Sequence, residues 1–328
     1  MTTIRMIAKL AGVSSATVSK VINGKDQNIS EDTRRRILEI VEREGYIPNG
    51  IAKSLRIKNT KTIGLIVPDV TNLFFAEVAK GIEDAAAKRG YSLILCNTDN
   101  KDSKERMYLK ILQEKKVDGL IITASHSKLG DQLDSVSIPV VLIDRDVDTP
   151  KSVGRITVDN IKGGRMAAEK LIDSGCRSIV HITAGLENKP SAERYKGFVE
   201  ALRDAGIKFN KSGLHTGYFT VETGYEGIVR LSKVMEFDGV FCGNDHIAIG
   251  ALQALRELGK MIPDDVSVVG FDDIALSKYI HPPLTTIRQP IYKLGESAVM
   301  VLLGMIEGGT TEESVVLQPE LIERMSCR

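Results

Sequence analysis

Cysteine is scarce in this 328-residue chain, and its four copies (Cys96, Cys176, Cys242 and Cys327) stand far apart with no CxxC pair. That spacing indicates neither a zinc site nor a disulfide framework. No apolar run reaches the ~18 residues of a membrane span, and no basic-then-apolar leader opens the chain. A cytoplasmic protein with no membrane partner is therefore expected. No two of the 29 glycines are spaced G-x-G, and neither GxxxxGKS/T nor HExxH occurs. The dinucleotide, phosphate-loop and zinc-protease signatures are thus missing, so an enzyme is not expected. Asp272–Asp273 has only His281 near it among histidines, a poor metal set, and no cofactor or metal is expected.

An excess of one charge is missing too, the net being +1, but the balance is uneven along the chain. Residues 1–61 hold 12 Lys/Arg against 6 Asp/Glu, whereas the remaining 267 hold 32 against 37. A basic head on a mildly acidic body implies a polyanion partner for the head alone.

Within that head, "IRMIAKLA" (4–11) reads as a helix capped by Thr2 or Thr3, with a turn at Gly12-Val13. Ser14 then caps a second helix reaching about Asn23, and a third is expected over 31–44. Small Ala8 suits a close crossing, while Ile7, Leu10, Val18 and Val21 supply apolar contacts. Ala8, Gly12 and Val18 have the helix-turn-helix spacing. The second helix leads with small polar residues, as a helix entering a DNA major groove must. Ser15, Ala16 and Lys20 face outward toward base edges, and Ser14, Thr17, Ser19 and Asn23 complete the DNA-binding set, the last three suited to phosphates. A plain capped three-helix bundle is the alternative.

From about Thr62 short Val/Ile-rich runs ("KTIGLIVPD", "YSLILCNTD", "DGLIITAS", "IPVVLIDRD", "RSIVHITAG", "DGVFCGND", "VSVVGFDD") alternate with amphipathic stretches, as buried parallel strands and helices do. Gly90, Gly175, Gly206 and Gly259 punctuate helix ends. The pattern covers about ten strands, too many for one sheet, and a break near "RITVDNIKGG" (155–164) suggests two similar α/β lobes. Their crevice lies at the strand carboxyl ends, where Asp69, Asp144, Asn244 and Asp272 stand. Each of these is also a candidate helix cap.

"TIRMIAKLAGVSSATVSKVING" and "GYIPNGIAKSLRIKNTKTIGLIVPD" resemble the headpiece, hinge and core entry of the lactose and galactose repressor family, and the resemblance covers essentially the whole chain. It implies a helix-turn-helix headpiece (1–48), a hinge helix and linker (49–61), and a two-lobed periplasmic-binding-protein-like α/β core (62–328). Lobe 1 is expected at about 62–157 and 289–313, and lobe 2 at about 160–286 and 316–328. It also implies a homodimer on a palindromic double-stranded operator. The hinge, "NGIAKSLR", is too short to be helical alone and is expected to fold only on DNA. Leu55 is then a minor-groove wedge and Lys53 stands where the family usually has arginine. The lactose repressor's tetramer-forming leucine heptad is missing at the end, so a dimer is expected.

The resemblance also places an effector site. "NLFF" supplies Asn72, Phe74 and Phe75, and "DR" supplies Asp144 and Arg145. Arg194, Phe219, Asn244, Asp272 and Gln289 come from the second lobe and its exit. The two phenylalanines have a core role open to them, and Asp144–Arg145 a surface ion pair. Purine-responsive members carry polar and basic groups before the effector arginine, whereas this chain has "ENKPSAER". A small sugar, ribose or another pentose, is therefore the expected effector, acting as an inducer, with a purine- or phosphoprotein-dependent corepressor mode as the alternative.

Overall fold

The computed structural model describes residues 2–46, 59–124, 129–309 and 314–328. The chain separates into two compact units, residues 1–60 and 61–328. The hinge expected over 49–56, with Lys53 and Leu55, lies outside the described residues.

Among its described residues the first unit holds three helices: α1 (Ile4–Ala11), α2 (Ser15–Ile22) and α3 (Glu31–Arg43). Thr3 caps α1, and Gly12 ends it at φ 67°, a left-handed turn that glycine adopts without a Cβ penalty. The Ser14 hydroxyl accepts from the Thr17 amide at 3.0 Å and so caps α2. Ile7, Ala8, Ala11, Val18, Val21, Ile37 and Ile40 form the core. Leu10 does not join it: at 45% exposure it lies on the outer face of α1. The apolar stripe of a helix this short is filled by Ile7, Ala8 and Ala11, with Ile4 packed against them.

The second unit contains two six-stranded sheets of the same design. The first runs in the order β11 (Ser314–Leu317), β5 (Gly154–Val158), β4 (Val140–Ile143), β3 (Gly119–Ile122), β1 (Thr62–Val67), β2 (Ser92–Asn97). The second is β12 (Glu320–Ile322), β10 (Thr285–Arg288), β9 (Ser267–Asp272), β8 (Gly239–Cys242), β6 (Ile179–Ala184), β7 (Leu214–Gly217). All pairings are parallel except β10 with β12. Apolar layers flank both faces of each sheet: Leu65, Val78, Ile82 and Leu302 on one side of the first, Ile66, Leu109 and Leu112 on the other. This explains the unbroken apolar strands.

The chain passes between lobes three times. It leaves lobe 1 after β5 at Asp159, returns after β10 at Gln289, and leaves again between β11 and β12. That last crossing corrects the expected lobe limits of 313 and 316. Val316 and Leu317 pair with Thr157 and Val158 in the first sheet, so lobe 1 extends to residue 317. No helix among the described residues is long and apolar enough to cross a membrane.

Candidate functional site

In both sheets the strand order reverses at the first strand, placing a switch point at the carboxyl ends of β1 and β6. The loops there build the cleft. Asn72 caps α4 (Leu73–Lys88) by accepting from the Phe74 amide, and Asn244 caps α10 (Asp245–Glu257) by accepting from the Ile247 amide. Asp144 and Asp272 stand at the ends of β4 and β9, each the third strand of its sheet, and both take the left-handed backbone (φ 59° and 113°). The lobes thus present matched amide and carboxylate groups to one another.

Asn72, Phe74, Phe75, Asp144, Arg145, Arg194, Phe219, Asn244, Asp272 and Gln289, all ten of the expected residues, line one cavity of about 20 Å³ with Pro190. Asp69, the fourth expected strand-end residue, is not among them; its carboxylate closes a turn onto the Thr71 amide and hydroxyl.

Arg194, on α8 (Lys189–Asp204), is the most constrained of the set. It is buried, donates from Nε to Asn160 Oδ1 at 2.9 Å and from Nη1 to the Gly243 carbonyl at 2.7 Å. Its guanidinium lies 3.7 Å over the Phe271 ring and 3.7 Å from Asp272 Oδ1. Arg145 stands 3.9 Å from Asp144 and within cation–π range of Phe75 and Phe219. Burial pushes the Asp144 and Asp272 carboxyls upward, and the two arginines oppose this at Asp144, Arg194 at Asp272. Two cations and two carboxyl groups around aromatic walls suit an uncharged, hydroxyl-rich ligand. Gln289 donates to Asp272 at 2.7 Å, while its Oε1, like Arg145 Nε, meets no hydrogen-bond partner among the described residues. Both remain able to bond a ligand.

Three contributors escaped the sequence reading. Pro190 appeared only as a departure from other members, although it walls the cavity. Asn160 and the Gly243 carbonyl support Arg194 from behind. Asn160 lies in "VDNIKGG", where the lobe break was visible, but nothing in the string shows which side chain it meets.

In the headpiece, Ala16 and Lys20 are exposed and Ser15 half-buried, whereas Val18 and Val21 point inward. Thr17 shares a hydrogen bond with Ser14, and Asn23 Nδ2 donates to the Ser19 carbonyl. Ser19 is half-buried.

Residues 3–49 match the model of bacterial regulatory proteins of the lacI family, and 168–327 match a periplasmic binding protein-like domain. The chain is 39% identical over 99% of both lengths to the HTH-type transcriptional regulator RegA of Clostridium saccharobutylicum. It is 37% identical, over 100% of its own length and 99% of the other, to the HTH-type transcriptional repressor PurR of Mannheimia succiniciproducens. Its fold is similar to the lac repressor dimer bound to operator and the anti-inducer ONPF (TM-score 0.89, 25% identity, 99% and 98% covered). A LacI family regulator from Enterococcus faecium with bound ribose is also similar (TM-score 0.73, 32% identity, 81% and 98% covered). A helix-turn-helix headpiece joined to a two-lobed ligand-binding core, together with these relatives, makes the chain a member of the lacI family of transcriptional repressors.

Proposed function

We propose that the core takes a small neutral sugar, with D-ribose the first candidate, and that its binding releases the headpiece from a palindromic operator. The observation carrying this reading is the convergence of the ten residues, two arginines and two carboxyl groups among them, on one cavity between the lobes. The ribose-bound regulator from Enterococcus faecium supports the choice of sugar. Asp144 and Asp272 accept from hydroxyls, Arg145, Arg194 and Asn244 donate, and Phe74, Phe75 and Phe219 cover C–H faces. Residues 1–48 read the operator through Ser15, Ala16 and Lys20, with Thr17, Ser19 and Asn23 toward phosphates and Ser14 capping the helix that presents them. Residues 49–61 transmit the state of the core through Lys53 and Leu55.

The working unit is a homodimer, because a two-fold operator needs two headpieces. Exposed Leu95 on β2, and Leu276 and Tyr279 in lobe 2, offer apolar surface for it. Catalysis has no part in this reading. Coupling of about 1–3 kcal/mol, 5–150-fold in operator affinity, is sufficient. Titration of D-ribose against operator binding at fixed salt should weaken the complex by that factor. A purine base that tightened binding while sugars did nothing would replace the inducer by a corepressor.

A further inference from the structure

Asp245 follows Asn244 directly, yet it is absent from the cavity wall and wholly buried. Its carboxylate gathers three donors from separate places in the chain. Oδ2 accepts from the Ile274 amide at 2.9 Å and from the Ser277 hydroxyl at 2.5 Å, and Oδ1 accepts from the Thr286 hydroxyl at 2.6 Å. On β9, a Cβ added at Gly270 would stand 2.3 Å from Asp245 Oδ1. The strand leading to Asp272 therefore carries glycine where this carboxylate needs room.

All four contacts surround Asp272. Gly270 lies two residues before it, Ile274 two after and Ser277 five after, and Thr286 sits opposite Gly270 in the sheet. Asp272 and Asp273 hold φ values of 113° and 59°. Side chains with a Cβ resist such backbone conformations unless their surroundings over-determine them. Asp273 is held from outside by Arg288 and Arg324. Asp272 is held from the front by Gln289, which bonds both its side chain and its carbonyl. The segment after them needs an anchor facing the lobe interior, and Asp245 supplies it.

We infer that Asp245 is a positioning residue of the cleft: it fixes the 272–277 turn so that the Asp272 carboxyl stays beside Arg194 and faces the cavity. The effect on ligand affinity rests on the cleft being the effector site; the effect on Asp272 geometry does not. Asp245→Asn keeps size but turns an amide toward groups that donate.

Two measurements on the full chain decide the matter. In a crystal structure of Asp245→Asn, Asp272 should leave φ 113° or lose its bond to Gln289; unchanged Asp272 geometry overturns the inference. Calorimetric titration with D-ribose should show Asp245→Asn and Asp272→Asn each weakening binding by about tenfold or more. The double variant should then be no weaker than Asp272→Asn alone, because Asp245 acts through Asp272. Losses that multiply would mark a general structural defect and overturn the positioning role. A wild-type chain indifferent to ribose would count against the sugar reading while leaving the crystal structure decisive. If Asp245→Asn does not fold, Ser277→Ala and Thr286→Val remove one donor apiece, and the same two measurements apply.

Discussion

At the scale of single residues, Arg194 concentrates the demands on the cleft. Its fork binds Asn160 and Gly243 and its plane stacks on Phe271, so charge alone cannot replace it. Arg194→Lys should weaken D-ribose binding by at least about tenfold in calorimetry, with the circular dichroism of the fold retained. Two other buried groups shape the response to pH in opposite senses. His181 stacks against Phe198 and Phe241, bonds the Phe241 carbonyl through Nδ1, and is depressed by burial to about 4 from 6.5. The unfolded chain therefore takes up a proton that the folded one refuses, and stability falls as pH drops from 6.5 toward 4. Asp245 is raised by burial from 3.8 to about 6, against its three donors, and Asp273 adds to the rise. Its folded form keeps a proton that the unfolded chain releases, so stability falls as pH rises from about 4 to about 6. The two slopes offset one another over their shared window of about pH 4 to about 6. Urea melts at about pH 5 and about pH 7 should expose the balance. His181→Phe should raise the pH 5 stability relative to pH 7, and Asp245→Asn should lower it. Parallel shifts at both pH values in either variant would contradict this.

At the scale of elements, helix pairs approach through reciprocal glycines. On α7 (Asn160–Asp173), a Cβ at Gly164 would stand 2.0 Å from the Arg194 carbonyl, and one at Gly197 of α8 would stand 1.9 Å from that of Ile161. Helix α9 (Val221–Leu231) meets α10 in the same way, through Gly224 and Gly250. The backbone contact at Gly164 sets where Arg194 lies. Gly164→Ala should cost about 1–3 kcal/mol in urea unfolding and weaken ribose binding, because no side chain can yield there. In the headpiece, Ser14→Ala removes the α2 cap and should lower its stability by about 1 kcal/mol, with a matching loss of operator affinity. These elements were unevenly legible. The left-handed helix-end glycines at 90, 175, 206 and 259, the headpiece helices and the long apolar strands follow from local pattern. Strands β7, β10, β11 and β12 do not, because polar side chains such as His215, Thr285, Ser314 and Glu320 break their apolar runs. The cleft residues were legible through motif resemblance, since their convergence depends on two sheets meeting. The Asp245 network was not, as it joins segments 29 to 41 residues apart.

At the scale of the whole core, the lobes are tied across the cleft. Asp146, two residues beyond Asp144 in lobe 1, accepts from Lys189 of lobe 2 at 2.9 Å, and Arg155 steadies it at 2.9 Å. Lys189 begins the helix that carries Arg194, so the tie and Arg194 share one rigid element. The cavity as it stands, about 20 Å³, has room for about one water, so a pentose needs the cleft to widen. The Lys189–Asp146 pair must then break on entry and, because the lysine side chain is long, re-form behind the ligand around a wider cleft. Its Lys189 side chain is 51% exposed, which limits its worth to about 0.2–1 kcal/mol. Stopped-flow mixing with D-ribose should find Lys189→Ala faster by up to about fivefold in both association and dissociation, with little change in the dissociation constant. Raising salt from about 0.05 to about 0.5 M should accelerate the wild-type chain in the same way and leave the variant nearly unaffected, because screening removes what the substitution has already removed. A variant faster only in dissociation would instead place the tie in the bound state alone. Closure would then follow ligand binding, with no barrier before it.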